Sequence, residues 1–257
     1  TGFSGLGIRS SNNRIEGLNI GGCSVHGIYL EGTAWTVNNN TVISNYIGTD
    51  LAGTAAVSNT WYGIYVESGA YGAADNVIRG NLVSGNGRWG IAVVGTATNT
   101  LIIGNKVGTN AAGDAALPNT SSGIAISATL NVTVRENLVS GNTGNGIYID
   151  NARNTTVLSN IVGLNADGTA ALPNGGTAGI YIFRNASGTT LRGNTVSGNW
   201  NNGIYLGAGV NGTVIAGNRI GTNPAGTVGI GNGINTNRDG IQIDNAYSNT
   251  IGGPNPE

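Results

Sequence analysis

The chain has 257 residues, of which 46 are glycine and 38 asparagine, while charged residues make up only 9%. A net charge of −1, with Lys106 as the sole lysine, gives no basic footprint for nucleic acid, and no apolar run is long enough to cross a bilayer. Hydrophobic residues, at 39% and recurring in a fixed pattern, separate the chain from disordered sequences of similar bias.

Taken in chain order, a Gly-Ile dipeptide opens a short strand at Gly7, Gly27, Gly63, Gly90, Gly123, Gly146, Gly179, Gly203 and Gly240. The intervals alternate between short and long. In Gly146-Ile-Tyr-Ile-Asp150 a period of two turns Ile147 and Ile149 inward and Tyr148 and Asp150 outward. A second phrase recurs between them, as in Ile78-Arg-Gly-Asn-Leu-Val-Ser-Gly-Asn86 and Leu191-Arg-Gly-Asn-Thr-Val-Ser-Gly-Asn199. Helical periodicity of useful length is absent. Repetition at this period predicts an all-β solenoid of about nine coils, alternating short and long, forming a rod about 40 Å in length.

Asn45, Asn81, Asn105, Asn137, Asn160, Asn194 and Asn218 fall at one equivalent position, as expected of a ladder in which stacked amides hydrogen-bond to one another. The long coils carry an extra phrase, such as Gly48-Thr-Asp-Leu-Ala-Gly-Thr54. Its Asp or Asn three residues before Gly predicts a self-bonded turn, with too few carboxylates for a calcium loop. The chain opens and closes within coil-like phrases, so 1–257 reads as a single domain taken from a longer protein. Cys23 has no partner for an internal disulfide.

The phrases Gly-Asn-x-Val-Ser-Gly-Asn, Ile-Gly-Thr-Asn-x-x-Gly-Thr and Asn-x-x-x-Gly-Ile resemble the right-handed parallel β-helix proteins of the pectate-lyase-like superfamily, over nearly the whole chain. The resemblance implies that fold, a secreted or cell-surface setting, polysaccharide or surface glycan as partner, and, as in tailspike-like members, the option of a trimer. It does not by itself imply an activity. The Asp-Asp, Gly-His-Gly and Arg-Ile-Lys signatures of polygalacturonase-like members are missing here, and the twelve carboxylates are too scattered for a lyase calcium cluster.

Where the repeat is irregular, chemistry has room. Alignment on Gly-Ile sets Glu31 opposite Glu67 on neighbouring coils, about 5 Å apart. Like charges so placed repel, which calls for a shifted proton affinity or a bound cation. No motif fixes a cofactor, and Ca2+ is an option for the cation. His26, Tyr62 and Trp89 stack just before the strand, Tyr29 and Tyr65 lie beside the glutamates, and Trp35 and Trp61 occupy adjoining loops. Rings beside carboxylates are what a sugar groove requires.

Two readings remain open. In one, the chain is a non-catalytic surface, adhesion or spacer module with carbohydrate contact through Tyr29, Trp35, Trp61, Tyr62, Tyr65 and Trp89. In the other it is a polysaccharide lyase or glycoside hydrolase using Glu31, Glu67 and His26. A third expectation is self-association through exposed coil ends. The row of Tyr148, Tyr181 and Tyr205, with Asp150 and Arg184 near it, reads as a stacking row that stiffens the sheet or as an extension of the binding track, and Arg238, Asp239 and Asp244 as a small salt-bridged cluster.

Overall fold

The structure, a computed structural model, describes residues 2–234 and 238–253. Among them the only regular elements are short parallel strands, arranged in two nine-stranded sheets and one eight-stranded sheet. The first sheet contains Leu6–Ile8, Ile28–Gly32, Ile64–Ser68, Ile91–Gly95, Ile124–Ser127, Ile147–Asp150, Ala178–Phe183, Asn202–Leu206 and Ile241–Ile243, hydrogen-bonded in that order. The second runs from Arg14–Glu16 to Thr250–Ile251 and the third from Asn19–Ile20 to Arg219–Ile220. Eight coils therefore contribute one strand to each of the three faces and the last described coil to two of them, and each interior strand pairs with the coils above and below. This is a parallel β-helix.

The period-two pattern becomes the core. Ile64, Val66, Ile91, Val93, Ile124, Ile126, Ile147 and Ile149 are fully buried, and their register partners in adjacent coils are again Ile or Val, with Leu30 opposite Val66. Branched side chains stacked in this way fill the interior with few rotamer choices. The preceding glycine is required by close approach. A Cβ on Gly90 would lie 2.7 Å from the Gly123 carbonyl oxygen and 2.8 Å from the Asn119 amide, closer than real contacts allow.

The expected asparagine ladder is present from Asn45 to Asn218. Each Oδ1 accepts from the side-chain amide of the preceding coil at 2.9–3.0 Å. It also accepts from that residue's backbone N–H, so one carbonyl satisfies two buried donors. A second ladder, not expected from the sequence, runs through Asn59, Asn86, Asn119, Asn142, Asn174, Asn199 and Asn232 with the same spacing.

The inserted turns of the long coils close as expected. Asp50 Oδ1 accepts from the N–H of Thr54 at 2.7 Å and of Ala55 at 3.1 Å, and these bonds hold its carboxyl below the usual range. Asn110, Asn165 and Asn223 make equivalent bonds. The inserts also pair with one another, Ala111 N–H to Gly53 O and Ala166 N–H to Gly113 O, both at 2.8 Å, so each reaches past the short coil between them.

One part of the sequence alignment is corrected by the register. Leu6 pairs with Ile28 and Gly7 with Tyr29, so Gly5-Leu6, not Gly7-Ile8, is the equivalent of Gly27-Ile28. Gly7-Ile8 lies inside the strand and only imitates its start.

Candidate functional site

The other pairings on the outer face of the first sheet follow the alignment. Tyr29 pairs with Tyr65 and Glu31 with Glu67. Their outward position follows from alternation with Ile28, Leu30, Ile64 and Val66, all fully buried. Just before these strands, the His26 ring stacks on Tyr62 at 5.1 Å between centroids and 11°, and Tyr62 on Trp89 at 5.1 Å and 12°. Tyr29 stacks on Tyr65 at 5.3 Å. Trp61 meets His26 edge-on at 5.7 Å and carries the Arg88 guanidinium 4.8 Å above its ring, a cation–π contact. Seven rings are expected near this face and six converge. Trp35 is half exposed on the loop after Ile28–Gly32 and makes no ring contact with the others among the described residues.

The imidazole lies within 4.8–5.7 Å of the rings of Tyr29, Trp61, Tyr62 and Tyr65 and is only 5% exposed. Burial among apolar faces disfavours its charged form and lowers its pKa to about 4. Its Nδ1 accepts the Tyr62 backbone N–H at 3.4 Å, which places the ring proton on Nε2. His26 is thus neutral near pH 7.

The repulsion expected between the two glutamates is offset by protein groups. Arg9 Nε donates to Glu31 Oε2 at 2.6 Å, and the Tyr29 hydroxyl donates to Glu67 Oε2. Burial, and then Glu67, push the Tyr29 and Tyr65 hydroxyls well above the ordinary phenol range, so both remain donors. Arg9 is the residue missed from sequence. Aligning on Gly7 instead of Gly5 displaces it by two positions, whereas the true register sets it opposite Glu31, one residue beyond the Ile8–Leu30 pair. Among the described residues no three His, Cys, Asp or Glu side chains gather as a metal-holding group.

The corrected register also explains a cavity. The outer column that holds Tyr65 and Tyr29 continues to Gly7, where an added Cβ would meet nothing within 4 Å. The missing side chain leaves a recess of about 400 Å3 lined by Phe3, Arg9, Val25, His26, Tyr29 and Glu31. Tyr29 is therefore the end of the Tyr29–Tyr65 stack, with one face against Tyr65 and the other toward the recess. An aromatic wall, a carboxylate and a guanidinium meet there.

At the other end of the same face, the Arg238, Asp239 and Asp244 cluster forms no ion pair among the described residues. Instead Asp244 accepts from the Tyr205 hydroxyl at 2.7 Å, and the Asp239 N–H donates to Asn202 Oδ1 at 3.0 Å.

The first sheet of this parallel β-helix thus carries a recess bordered by aromatic rings, a carboxylate and a guanidinium, and comparison with known proteins places the chain in a family. The family model described as right handed beta helix region matches residues 2–107 and 57–220, and the chain belongs to that family. Among solved structures, the Dettilon tailspike protein matches with a TM-score of 0.60 and 21% identity, over 90% of this chain and 47% of that one. A double mutant of the periplasmic alginate epimerase AlgG matches with a TM-score of 0.57 and 18% identity, over 88% of this chain and 47% of the epimerase. The chain thus spans about half the length of either protein, and at these identities the shared feature is the fold. No curated protein sequence matches it. No helix among the described residues is long and apolar enough to cross a membrane.

Proposed function

We propose that this chain is a non-catalytic solenoid module, working outside the cytoplasm, that contacts polysaccharide through the recess and rings around Tyr29. The observation that carries this reading is the terminal Tyr29 face opening onto a recess of about 400 Å3 bordered by Arg9 and Glu31. A pyranose C–H face packs on such a ring while its hydroxyls reach the charged pair. Trp61, 42% exposed, widens the apolar contact at the rim. The tailspike and the periplasmic alginate epimerase that share the fold support an extracytoplasmic setting and a saccharide partner. His26, neutral and enclosed by rings, then serves as packing beneath the contact face.

The enzymatic alternative, a polysaccharide lyase or glycoside hydrolase, rests on the side-by-side Glu31 and Glu67. Against it, Glu31 is occupied by Arg9 and Glu67 by Tyr29, and His26 is a weak base once its pKa is lowered to about 4. One experiment separates the two. The chain is run through gels containing a panel of acidic and neutral polysaccharides, and the same panel is assayed for new reducing ends and unsaturated products. The proposal expects retardation by at least one polysaccharide, lost in Tyr29→Ala and weakened in Trp61→Ala, without product. Product formation abolished by Glu31→Gln or Glu67→Gln would replace it with the enzyme reading.

A further inference from the structure

In register order the outer column of the first sheet reads Gly7, Tyr29, Tyr65, Ala92, Ala125, Tyr148, Tyr181, Tyr205 and Gln242. Two blocks of rings are separated by two fully buried alanines. The C-terminal block reproduces the chemistry of the first with different residues. Tyr148, Tyr181 and Tyr205 follow one another at 5.6 and 5.1 Å between centroids. Arg184 grips Asp150 through two bonds of 2.8 and 2.7 Å, as Arg9 grips Glu31. The Tyr205 hydroxyl donates to Asp244, as that of Tyr29 does to Glu67, and this bond pushes its pKa up to about 12. Beside the block lies a second recess, of about 480 Å3, lined by Asn202, Tyr205, Arg238 and Gln242 among others.

A solenoid repeats its inward residues because the core demands it. The outward residues are under no such demand, and between the two blocks they fall to alanine. What recurs is a row of tyrosines in contact, tilted at 42° and edge-on at 82° rather than stacked, with an arginine–carboxylate pair, a tyrosine–carboxylate hydrogen bond and an adjoining recess, and this recurrence is one of function-bearing chemistry. Asn202 is buried and holds Gln242 in place by donating to its Oε1 at 3.0 Å, and the NH2 end of the Gln242 amide suits a sugar hydroxyl. The Arg238 guanidinium, exposed and in no ion pair among the described residues, suits a sugar carboxylate.

We infer that the C-terminal block is a second saccharide site, selective for chains bearing carboxylates, and that one polysaccharide lying along the rod engages both blocks. The inference rests on the proposed function for the class of ligand, and on its own geometry for the site. The block centres are four to five coils apart, about 22 Å. A chain long enough to bridge them makes its second contact intramolecularly and gains avidity without any new interaction.

Calorimetric titration of the full chain with size-fractionated oligouronates tests this. Oligomers too short to bridge should bind with a stoichiometry of two, and bridging oligomers with a stoichiometry of one and about 100-fold tighter. Tyr181→Ala should reduce the short-oligomer stoichiometry to one and abolish the gain with length. Arg238→Gln, an exposed change that leaves the tyrosine row intact, should do the same. A single short-oligomer site that Tyr29→Ala removes and both C-terminal variants leave untouched would overturn the second site while sparing the proposed function. A single site removed by Tyr181→Ala and kept by Tyr29→Ala would overturn the first-block reading and the bridging. Absence of binding to both oligouronates and neutral oligomers would overturn both.

Discussion

The interior corners of this rod and the outer face of its first sheet are built on opposite rules. At the corners, Asn81, Asn105, Asn137 and Asn160 occupy the same position and make the same bonds in coil after coil. On the outer face the equivalent positions run through glycine, tyrosine, alanine and glutamine. A buried amide has one solution that satisfies all its groups, so each coil must repeat it. An outward side chain answers to whatever lies outside the protein. Regularity in this molecule marks what holds it together, and departure from regularity marks what it presents.

The largest effect separating these regions should come from the ladder. Asn137 accepts two bonds from Asn105 and donates to Ile102 O, Arg135 O and Asn160 Oδ1. Asn137→Ala should cost about 3 kcal/mol, because buried donors on one coil and an acceptor on the next lose partners together. A urea midpoint close to that of the unmodified chain would show that the ladder is not a principal support. Asn218→Ala, at the half-exposed end of the same ladder, should cost about half as much by the same measurement.

On the outer face, Tyr29→Ala should weaken polysaccharide binding by about 2 kcal/mol, as removal of a central aromatic anchor does. A loss of only a few tenths would move the contact elsewhere. His26 gives a pH test of the same block, free of assignment problems because it is the sole histidine. Its pKa falls from 6.5 in the unfolded chain to about 4 in the fold, so the unfolded state binds the proton more tightly. The stability tied to this group is fully present above about 6.5 and is lost as pH falls through that value toward about 4. An NMR titration should show the imidazole unprotonated at pH 5.5; a midpoint near 6.5 would mean that the rings do not enclose it. The smallest effect belongs to Arg9→Gln. The pair with Glu31 joins a 61% exposed arginine to a carboxylate side chain 20% exposed, and with the arginine largely in water its loss should shift stability by less than about 1 kcal/mol.

How much of this was legible in the sequence follows the same division. The coil count, the first ladder, the self-bonded turns and the Glu31–Glu67 pairing all derive from residues that recur, and recurrence is visible without coordinates. The second ladder was within reach, since Asn-x-x-x-Gly-Ile contains it. Its interval from the first ladder changes between long and short coils, however, which hides it from alignment on one column. Arg9 was lost because Gly7-Ile8 copies a dipeptide that starts strands elsewhere, and nothing in one sequence says that Gly5-Leu6 is the true start. Trp35 was drawn toward the aromatic face by proximity along the chain, whereas its loop carries it away from the other rings. At the C-terminal tyrosines the row with Asp150 and Arg184 was legible, whereas the recess beside it was not, because it depends on residues from neighbouring coils such as Tyr205 and Gln242.

The division between a supporting interior and a presenting face is tested most directly by measuring two quantities on two variants: the urea midpoint and the polysaccharide affinity of Asn137→Ala and of Tyr29→Ala. The account predicts that Asn137→Ala lowers the midpoint while the folded protein binds as before. Tyr29→Ala should weaken binding by about 2 kcal/mol at a stability cost of about 1 kcal/mol. It would be contradicted if Tyr29→Ala lowered the midpoint as far as Asn137→Ala and bound polysaccharide as tightly as the unmodified chain, for the tyrosines would then be structural cover.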